Sequence, residues 1–505
     1  MLLLVASALV TTGLAAPHAS TSAQGLLAAV EAHLSHEGPD ACLTPLVNEL
    51  KLRAAELTPA ERAWATSALM PWKADLLDPV APVRAAGEAP PAPFASEPCF
   101  SLGENRITSA HFAVEWDDGT ISEATADNFL ESLEEGYTVE VDELGWKAPL
   151  QNDDYLVLAY VQEGSYQGAY TTIESCGRGV VPYIVAYAGS FSNRSWAETM
   201  AVHEFNHALQ FGYGYSWEFW WWEATATYIE GVVYPTSNWW ASYVSGYSNN
   251  PHIAFNASDQ NDRDIFWHMY GMGLWGAYLD EYVGGPDTVL ATWESASGGT
   301  YSYGMRAAFA DLGLDFDAAY TDFIVRNTVM DYADQGAIPG VDERASIDEL
   351  PASDEIDGST RPQGYGQTYI RFEKEAGEGD LVVSFEGEAD VPWSVQLVEV
   401  TRDEIVRVVA AEIVDGVGTV TLEGFGAEDV VFVASPLKDG DTKYGFTWSA
   451  ELVEPAVEEV VVDEVGDEEA PGGCGCASGG GPGAGIGLLL GLAAIARRRQ
   501  GAPTR

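Results

Sequence analysis

Basic residues are scarce in this sequence. The 505 residues include 24 Lys and Arg against 77 Asp and Glu, which gives a formal net charge of −53. A field of that sign repels phosphate backbones and anionic membrane surfaces, so it argues against nucleic acid as a partner. The apolar fraction of 47% is large enough for a packed core and excludes an intrinsically disordered chain. The acidity itself is typical of a solvated surface.

Cysteine is also scarce, and its five residues fall into two groups. Cys42, Cys99 and Cys176 are scattered, whereas Cys474 and Cys476 lie together near the C-terminal end. Scattered cysteines in an exported protein permit one disulfide and leave one thiol over. Because Cys99 and Cys176 flank the predicted core, we expect these two to form the disulfide.

The longest apolar runs lie near the two ends of the chain. Leu2–Ala16 is apolar and is followed by small residues, so residues 1–23 are predicted to be an export signal. At the other end, Ile486–Ala496 is marginal for a membrane span, and Arg497–Arg499 beside it would hold that end on the cytoplasmic side. The chain is therefore predicted to be exported.

Changes in composition divide the rest of the chain into five segments. Residues 24–95 are predicted to be helical and end in a proline-rich linker, and Thr58 with Glu61 three residues later predicts a capping box in this segment. The segment forms either a removable pro-segment or an accessory region. Residues 96–345 read as strands and then helices, which indicates an α+β domain. Short apolar strands at 360–452 predict a β-sandwich. Residues 453–471 are an acidic linker, and 472–505 form a cysteine-bearing tail.

Two of the eight histidines fall in one short motif, H-E-F-N-H, at His203 and His207. On a helix, positions i and i+4 lie one turn apart on the same face, so both imidazoles can face one point. Ser195, with Glu198 three residues later, predicts the start of that helix as a capping box. The motif matches H-E-x-x-H, in which two histidines bind zinc and the carboxylate of Glu204 takes a proton from the water that the metal activates.

The third ligand distinguishes classes of zinc protease. A metzincin would need histidine and glycine where this chain has Tyr213 and Gln210, so that class is excluded. Glu223, on a second predicted helix, can complete a two-histidine, one-glutamate site. Glu218 leaves little chain in which to turn back, and Glu230 is better placed as a partner that orients a ligand histidine.

These motifs resemble those of a known family. A glutamate followed by small residues, here Glu223, resembles the third ligand of gluzincin zinc metallopeptidases. Three stretches, His203–Gln210, Trp221–Ala226 and Cys474–Arg499, resemble a group of myxobacterial metalloproteases that carry a MYXO-CTERM sorting tail. The resemblance implies a zincin-like catalytic domain with Zn²⁺, acting on protein or peptide substrates.

The tail resemblance also implies how the chain is delivered. It implies cutting near Cys474 by a sorting protease, possible lipid attachment there, and a place at the outer-membrane surface or outside the cell. Membrane association would then occur only through the tail before processing, or through the lipid. A permanently anchored tail is the alternative.

Tyr270 and His268 are the candidates for stabilising the oxyanion. Tyr270-x-x-Gly273 resembles the helix start that carries such a tyrosine in aminopeptidase-like gluzincins. A phenol or an imidazole near the metal could donate to the charge that develops on the carbonyl oxygen. We prefer Tyr270, with His268 second; either could instead be a core aromatic.

Two further features could involve metal. The acidic run Asp259–Asp264 could bind Ca²⁺, although a solvated loop is the simpler interpretation. Cys42, in the predicted pro-segment, could cap the zinc as a thiolate.

The sequence therefore predicts an exported zinc-dependent endopeptidase. No Gly-x-Met-Glu-Asn signature of exopeptidases precedes the zinc motif. The alternatives are a non-catalytic surface adhesin or envelope protein on a metalloprotease scaffold, and a zinc hydrolase that acts on a non-peptide bond.

Overall fold

The computed structural model describes residues 22–35, 42–80, 96–177, 179–214, 219–259, 262–295 and 301–454. These residues belong to one compact unit. The predicted signal peptide, proline-rich linker, acidic linker and sorting tail lie almost wholly outside them. Within the described part of the chain, no helix has the length and apolar character needed to cross a membrane.

The first described segment forms three helices, as the sequence predicted: α1 Ala23–Leu34, α2 Thr44–Leu52 and α3 Pro59–Leu69. The predicted capping box starts α3. The Thr58 hydroxyl accepts from Glu61 N, and the Glu61 carboxylate accepts from Thr58 N. Each contact satisfies a backbone donor that the first helical turn leaves free.

A five-stranded mixed sheet follows. Its strands are β1 Asn105–Thr108, β2 Phe112–Trp116, β3 Val157–Gln162, β4 Ala169–Cys176 and β5 Gly179–Tyr187. The spatial order is β1-β2-β3-β5-β4, with β2, β3 and β5 parallel and the two edge strands antiparallel. The strand β4 is therefore an edge. Helix α4, Glu123–Tyr137, connects β2 to β3 and continues into a π-helical turn.

Apolar side chains on both faces of this sheet are buried. Helices α1–α3 cover one face, where Leu158, Tyr183 and Val185 belong to the same cluster as leucines of α1 and α2. Helix α4 and the next helix cover the other face. Alternate residues of a strand point to opposite faces, so both layers are needed to bury the sheet.

Polar contacts also join the N-terminal helices to the sheet. The Tyr170 hydroxyl donates to Leu69 O, and a buried ion pair joins Lys73 Nζ to Glu174 at 2.7 Å. The predicted Cys99–Cys176 disulfide is present and ties β4 to the start of the domain. Residues 22–80 are thus an integral layer of this fold.

The chain from 194 to 326 is mainly helical, as predicted. Its helices are α5 Arg194–Gln210, α6 Phe219–Val233, α7 Trp239–Ser248, α8 Arg263–Gly271, α9 Gly273–Tyr278, α10 Pro286–Ser295, α11 Tyr301–Asp311 and α12 Phe316–Arg326. Helices α7 and α8 pack closely because Gly246 and Gly271 lack a Cβ, which would overlap the opposite backbone.

The last described segment is the predicted β-sandwich. Its strands are β6 Ala345–Ile347, β7 Ala352–Ile356, β8 Thr368–Phe372, β9 Gly379–Gly387, β10 Trp393–Val400, β11 Ile405–Ala410, β12 Val417–Phe425, β13 Asp429–Pro436 and β14 Phe446–Val453. They form two sheets, β11-β10-β13-β8-β6 and β12-β9-β14-β7. Rings from the two sheets pack together, for example Phe372 on Trp448 with centroids 5.7 Å apart.

The sandwich differs from the prediction in where it begins. Strands β6 and β7 precede residue 360, the predicted start, and each adds to an edge of one sheet. The sandwich also packs on the helices, with the Tyr247 hydroxyl donating to Gln367 at 2.9 Å and Tyr369 to Ile324 O at 3.1 Å. The fold class is therefore α+β, as predicted.

Candidate metal centre

Helix α5 carries the H-E-F-N-H motif. Its N-cap is Asn193, whose side chain accepts from Trp196 N at 3.3 Å, so the prediction of Ser195 as cap is wrong. Ser195 lies in the first turn, where its hydroxyl accepts from the indole of Trp239 at 3.2 Å. The helix ends at Gln210, and a short 3₁₀ turn leads to Gly214 at φ 106°.

Four buried side chains meet at one point beside this helix. His203 Nε2 lies 3.2 Å from Glu223 Oε2, and His207 Nε2 lies 3.5 Å from Glu223 Oε1. Cys42 Sγ lies 3.3 Å from His207 Nε2. One donor atom from each of the four lies within 4.8 Å of the others. The two histidines come from α5, the glutamate from α6 and the cysteine from the residues just before α2.

This donor set fits a tetrahedral metal ion. Bonds of about 2.0–2.3 Å place tetrahedral ligand atoms about 3.3–3.8 Å apart, and the three distances above, 3.2, 3.3 and 3.5 Å, lie in or close to that range. One oxygen of Glu223 and one of Glu204 are buried with no hydrogen-bond partner among the described residues. A cation would satisfy such oxygens. The cluster can therefore hold a metal ion.

Both histidines are oriented through their Nδ1 atoms. His203 Nδ1 lies 2.8 Å from Glu230 Oε1, and His207 Nδ1 lies 2.7 Å from Gln210 Oε1. An acceptor at Nδ1 holds the proton there and leaves Nε2 free to bind metal. Glu230 thus lies where the sequence placed the partner of a ligand histidine.

The contact of His207 continues into a buried chain that sequence reasoning missed. Gln210 Nε2 donates to Asn206 Oδ1 at 2.6 Å, and Asn206 Nδ2 donates to Glu140 Oε2 at 2.8 Å. Gln210 is three residues after His207, a spacing that places both on one helix face and could have indicated the first contact. Glu140 lies in the π-helical turn after α4, and no local pattern points to it.

The electrostatics of the two histidines differ. Burial lowers the pKa of His203, but hydrogen bonds to Glu223 and Glu230 outweigh it and raise the pKa to about 10. Burial lowers the pKa of His207 to about 4, although Glu223 and Gln210 oppose the shift. A metal-free cluster therefore holds a proton on His203 at neutral pH, and a cation would displace it.

Glu204 lies beside these ligands. Its Oε2 accepts from the Thr171 hydroxyl at 2.7 Å and from the Thr44 hydroxyl at 3.0 Å. Burial raises the pKa of this carboxyl, while the charge of His203 and the hydrogen bond from Thr171 lower it in part. A carboxyl with a raised pKa is suited to accept and return a proton near neutral pH.

The two oxyanion candidates occupy different environments. The Tyr270 ring lies nearly parallel to that of His203, with centroids 6.0 Å apart, and its hydroxyl donates to Cys42 O at 3.3 Å. His268 instead packs against Tyr247, and neither of its ring nitrogens meets a hydrogen-bond partner in the described chain. Positions two apart on a helix point to opposite sides, so α8 can direct only one of the pair to the cluster.

The acidic run Asp259–Asp264, predicted as a candidate Ca²⁺ site, contributes the N-cap of helix α8 in its described part. Asp262 caps α8, accepting from Asp264 N at 2.9 Å and Ile265 N at 3.2 Å. Residues 260–261 lie outside the described chain, and the described residues of the run do not form a group of metal donors.

A small cavity adjoins the metal cluster. Its volume is about 10 Å³, and His203, Glu204, Tyr270 and Cys42 are among its lining residues. That volume is about the room of one water molecule. Among the described residues, this cavity therefore leaves no space for a peptide beside the cluster.

Comparison with known proteins adds little. No protein-family profile and no curated protein matches the chain. Among solved structures, a pre-peptidase C-terminal domain of a Bacillus anthracis collagenase is 9% identical, with a TM-score of 0.17, covering 22% of this chain and 100% of its own. A family GH115 4-O-methyl-alpha-glucuronidase with specificity for decorated arabinogalactans is 10% identical, with a TM-score of 0.15 over 51% of this chain and 39% of its own. Neither likeness is strong enough to carry an argument.

Proposed function

We propose that this chain is an exported zinc-dependent endopeptidase with a zincin-like catalytic domain. The observation that supports it most is the meeting of His203, His207 and Glu223 with Glu204 in one buried cluster. Two histidines and a carboxylate, tied down by partners at Nδ1, are the donor set of a catalytic zinc site. Zinc bound there would lower the pKa of a water molecule and polarise the substrate carbonyl.

The chain's own residues divide the remaining work. Glu204 takes the proton of the attacking water and passes it to the leaving amine, while the Thr171 hydroxyl holds its carboxylate in place. Tyr270, whose ring lies along that of His203, donates its hydroxyl to the oxygen on which charge develops. Glu230 and Gln210 fix the two imidazoles.

The leading alternative is a non-catalytic surface or envelope protein. The observation that favours it is Cys42, which makes a fourth protein donor in the cluster. Four protein ligands are typical of structural zinc sites, whereas catalytic sites keep one position open. Stoichiometric metal without cleavage of any substrate would support this reading.

The test removes the fourth donor and then the base. We would measure zinc content and cleavage of casein and a peptide library by the full-length Cys42→Ser variant, with and without Glu204→Gln. The peptidase proposal expects one zinc in both, cleavage by the first, and a loss of about 10²–10⁴-fold in the second. Equal cleavage by both variants would exclude Glu204 as the base. One zinc and no cleavage by either would count against the peptidase and favour the structural site.

A further inference from the structure

The thiol of Cys42, two residues before helix α2, lies in the metal cluster. Cys42 Sγ, besides its 3.3 Å contact with His207 Nε2, accepts from Thr44 N at 3.3 Å. The sulfur therefore lies at the N-terminal end of the nine-residue helix α2. Burial and the carboxylates of Glu204 and Glu223 raise the pKa of this thiol in the metal-free chain, and the hydrogen bonds from Thr44 offset them only in part. A bound cation would favour the thiolate, which is the form that binds metal.

The same segment is held along the edge strand β4. Leu43 N donates to Ala169 O at 2.8 Å, and Thr171 N donates to the Thr44 hydroxyl at 2.7 Å. The Asn48 side chain donates to Thr171 O at 2.8 Å. An edge strand offers free backbone groups to any extended chain. Here those groups at 169 and 171 are already occupied by the chain itself.

The segment also engages both groups assigned to catalysis. The Thr44 hydroxyl donates to Glu204 Oε2 at 3.0 Å, and the Tyr270 hydroxyl donates to Cys42 O at 3.3 Å. Two residues of one segment, Cys42 and Thr44, thus contact a metal donor, the base and the oxyanion donor together. A helix that only covered the sheet would not be expected to contact all three of these groups.

We propose that Cys42 is the fourth metal ligand and that Cys42–Asn48 occupies the substrate position, so that the folded chain is a latent form. The latency rests on the proposed peptidase function, whereas the ligand assignment does not. Opening the site requires the thiolate to leave the metal, which frees the position for water.

Release by loss of the whole N-terminal layer is disfavoured by the packing. Leu43, Leu46 and Leu50 are fully buried against the sheet, and Leu26 and Val30 of α1 belong to the same cluster. Removing them would expose one face of the sheet to water. Local displacement of Cys42 is the smaller change, and the test therefore uses point variants of the full chain.

The first experiment detects the metal–sulfur bond without substrate. Full-length protein with Cys474→Ser and Cys476→Ser keeps Cys42 as its one free thiol, because the other two cysteines form the disulfide. Loaded with Co²⁺, it should show thiolate-to-cobalt charge-transfer absorption in the near ultraviolet. Adding Cys42→Ser should abolish that absorption, whereas Thr44→Val, which leaves every ligand in place, should keep it.

Absence of the absorption from the cobalt-loaded parent, or its persistence after Cys42→Ser, would overturn the ligand assignment. Zinc release to a chelator gives a second readout. It should be faster in Cys42→Ser by about tenfold or more, since even outer partners of a ligand contribute 10–100-fold to affinity. An unchanged release rate would also count against ligation.

The second experiment tests latency. Cleavage of the peptide library by zinc-loaded parent and Cys42→Ser proteins should differ by about tenfold or more in favour of the variant. Equal cleavage by both overturns latency but leaves the peptidase proposal standing. No cleavage by either, with the cobalt absorption present, overturns latency that loss of the Cys42 ligand relieves, counts against the peptidase and leaves a site closed by Cys42.

Discussion

Replacing Gln210 by methionine should weaken metal binding although no metal ligand is replaced. Methionine keeps the length of the side chain but cannot accept the hydrogen bond that His207 Nδ1 makes to Gln210 Oε1 at 2.7 Å. The imidazole then loses the contact that fixes its tautomer and orientation. Loss of such a partner costs about 10–100-fold in metal affinity, or about 1.4–2.8 kcal/mol.

The same change should also cost stability in the metal-free chain. Gln210 is fully buried and donates to Asn206 Oδ1 and Trp222 O, which both lose a donor. Buried groups left without a partner cost about 1–3 kcal/mol each.

Because the pKa of His207 is about 4, protons do not compete with metal at this residue above pH 6. The factor by which Gln210→Met weakens zinc binding through His207 should therefore be the same from pH 6 to pH 9.

The assay is competition for zinc against a chromophoric chelator, with chemical denaturation of each metal-free protein in parallel. Gln162→Met is the matched control, since Gln162 is a buried amide that donates to Ala68 O at 3.1 Å in the N-terminal layer. It should cost stability and leave zinc affinity unchanged. Zinc affinity within twofold of wild type in Gln210→Met, or an equal loss in Gln162→Met, would refute the reasoning.

Three further changes have defined outcomes. Burial lowers the pKa of Lys51 to about 7, so the unfolded chain binds the extra proton between pH 7 and 10.5 and wild-type stability should rise in that window. The stability of Lys51→Met relative to wild type should accordingly fall by about 4 kcal/mol over that window, and a pH-independent difference in urea denaturation would contradict this. Replacing Cys99 and Cys176 by serine opens a loop closed at a separation of 77 residues and should cost about 4 kcal/mol at most; no loss in denaturant midpoint would contradict that. Thr171→Val removes a hydrogen bond that lowers the pKa of Glu204. In the Cys42→Ser protein, the acid limb of the plot of cleavage rate against pH should therefore move to higher pH by about one unit. Thr171→Ser keeps the hydroxyl and should leave that limb in place.

Local patterns predicted the elements that depend on neighbours in sequence. The capping box at Thr58 and the spacing of His203 and His207 needed only helical geometry. Strand-like composition at 111–116 and 155–160 predicted the strands now found at β2 and β3. The same reasoning failed at Ser195, because Asn193, another short polar residue two positions earlier, caps the helix. The Ser195 hydroxyl instead accepts from the indole of Trp239. It also missed β6 and β7, which are short and largely exposed edge strands.

The two histidines of the H-E-F-N-H motif share a helix face because they are four residues apart. The rest of the cluster comes from contacts that no local rule predicts. Cys42 reaches His207 across 165 positions, and Thr44 reaches Glu204 across 160. Such contacts exist because helices α1–α3 must cover one face of the sheet, which carries the residues before α2 to the cluster. Sequence periodicity specifies which side chains share a face, whereas burial of the sheet specifies which distant segment meets that face.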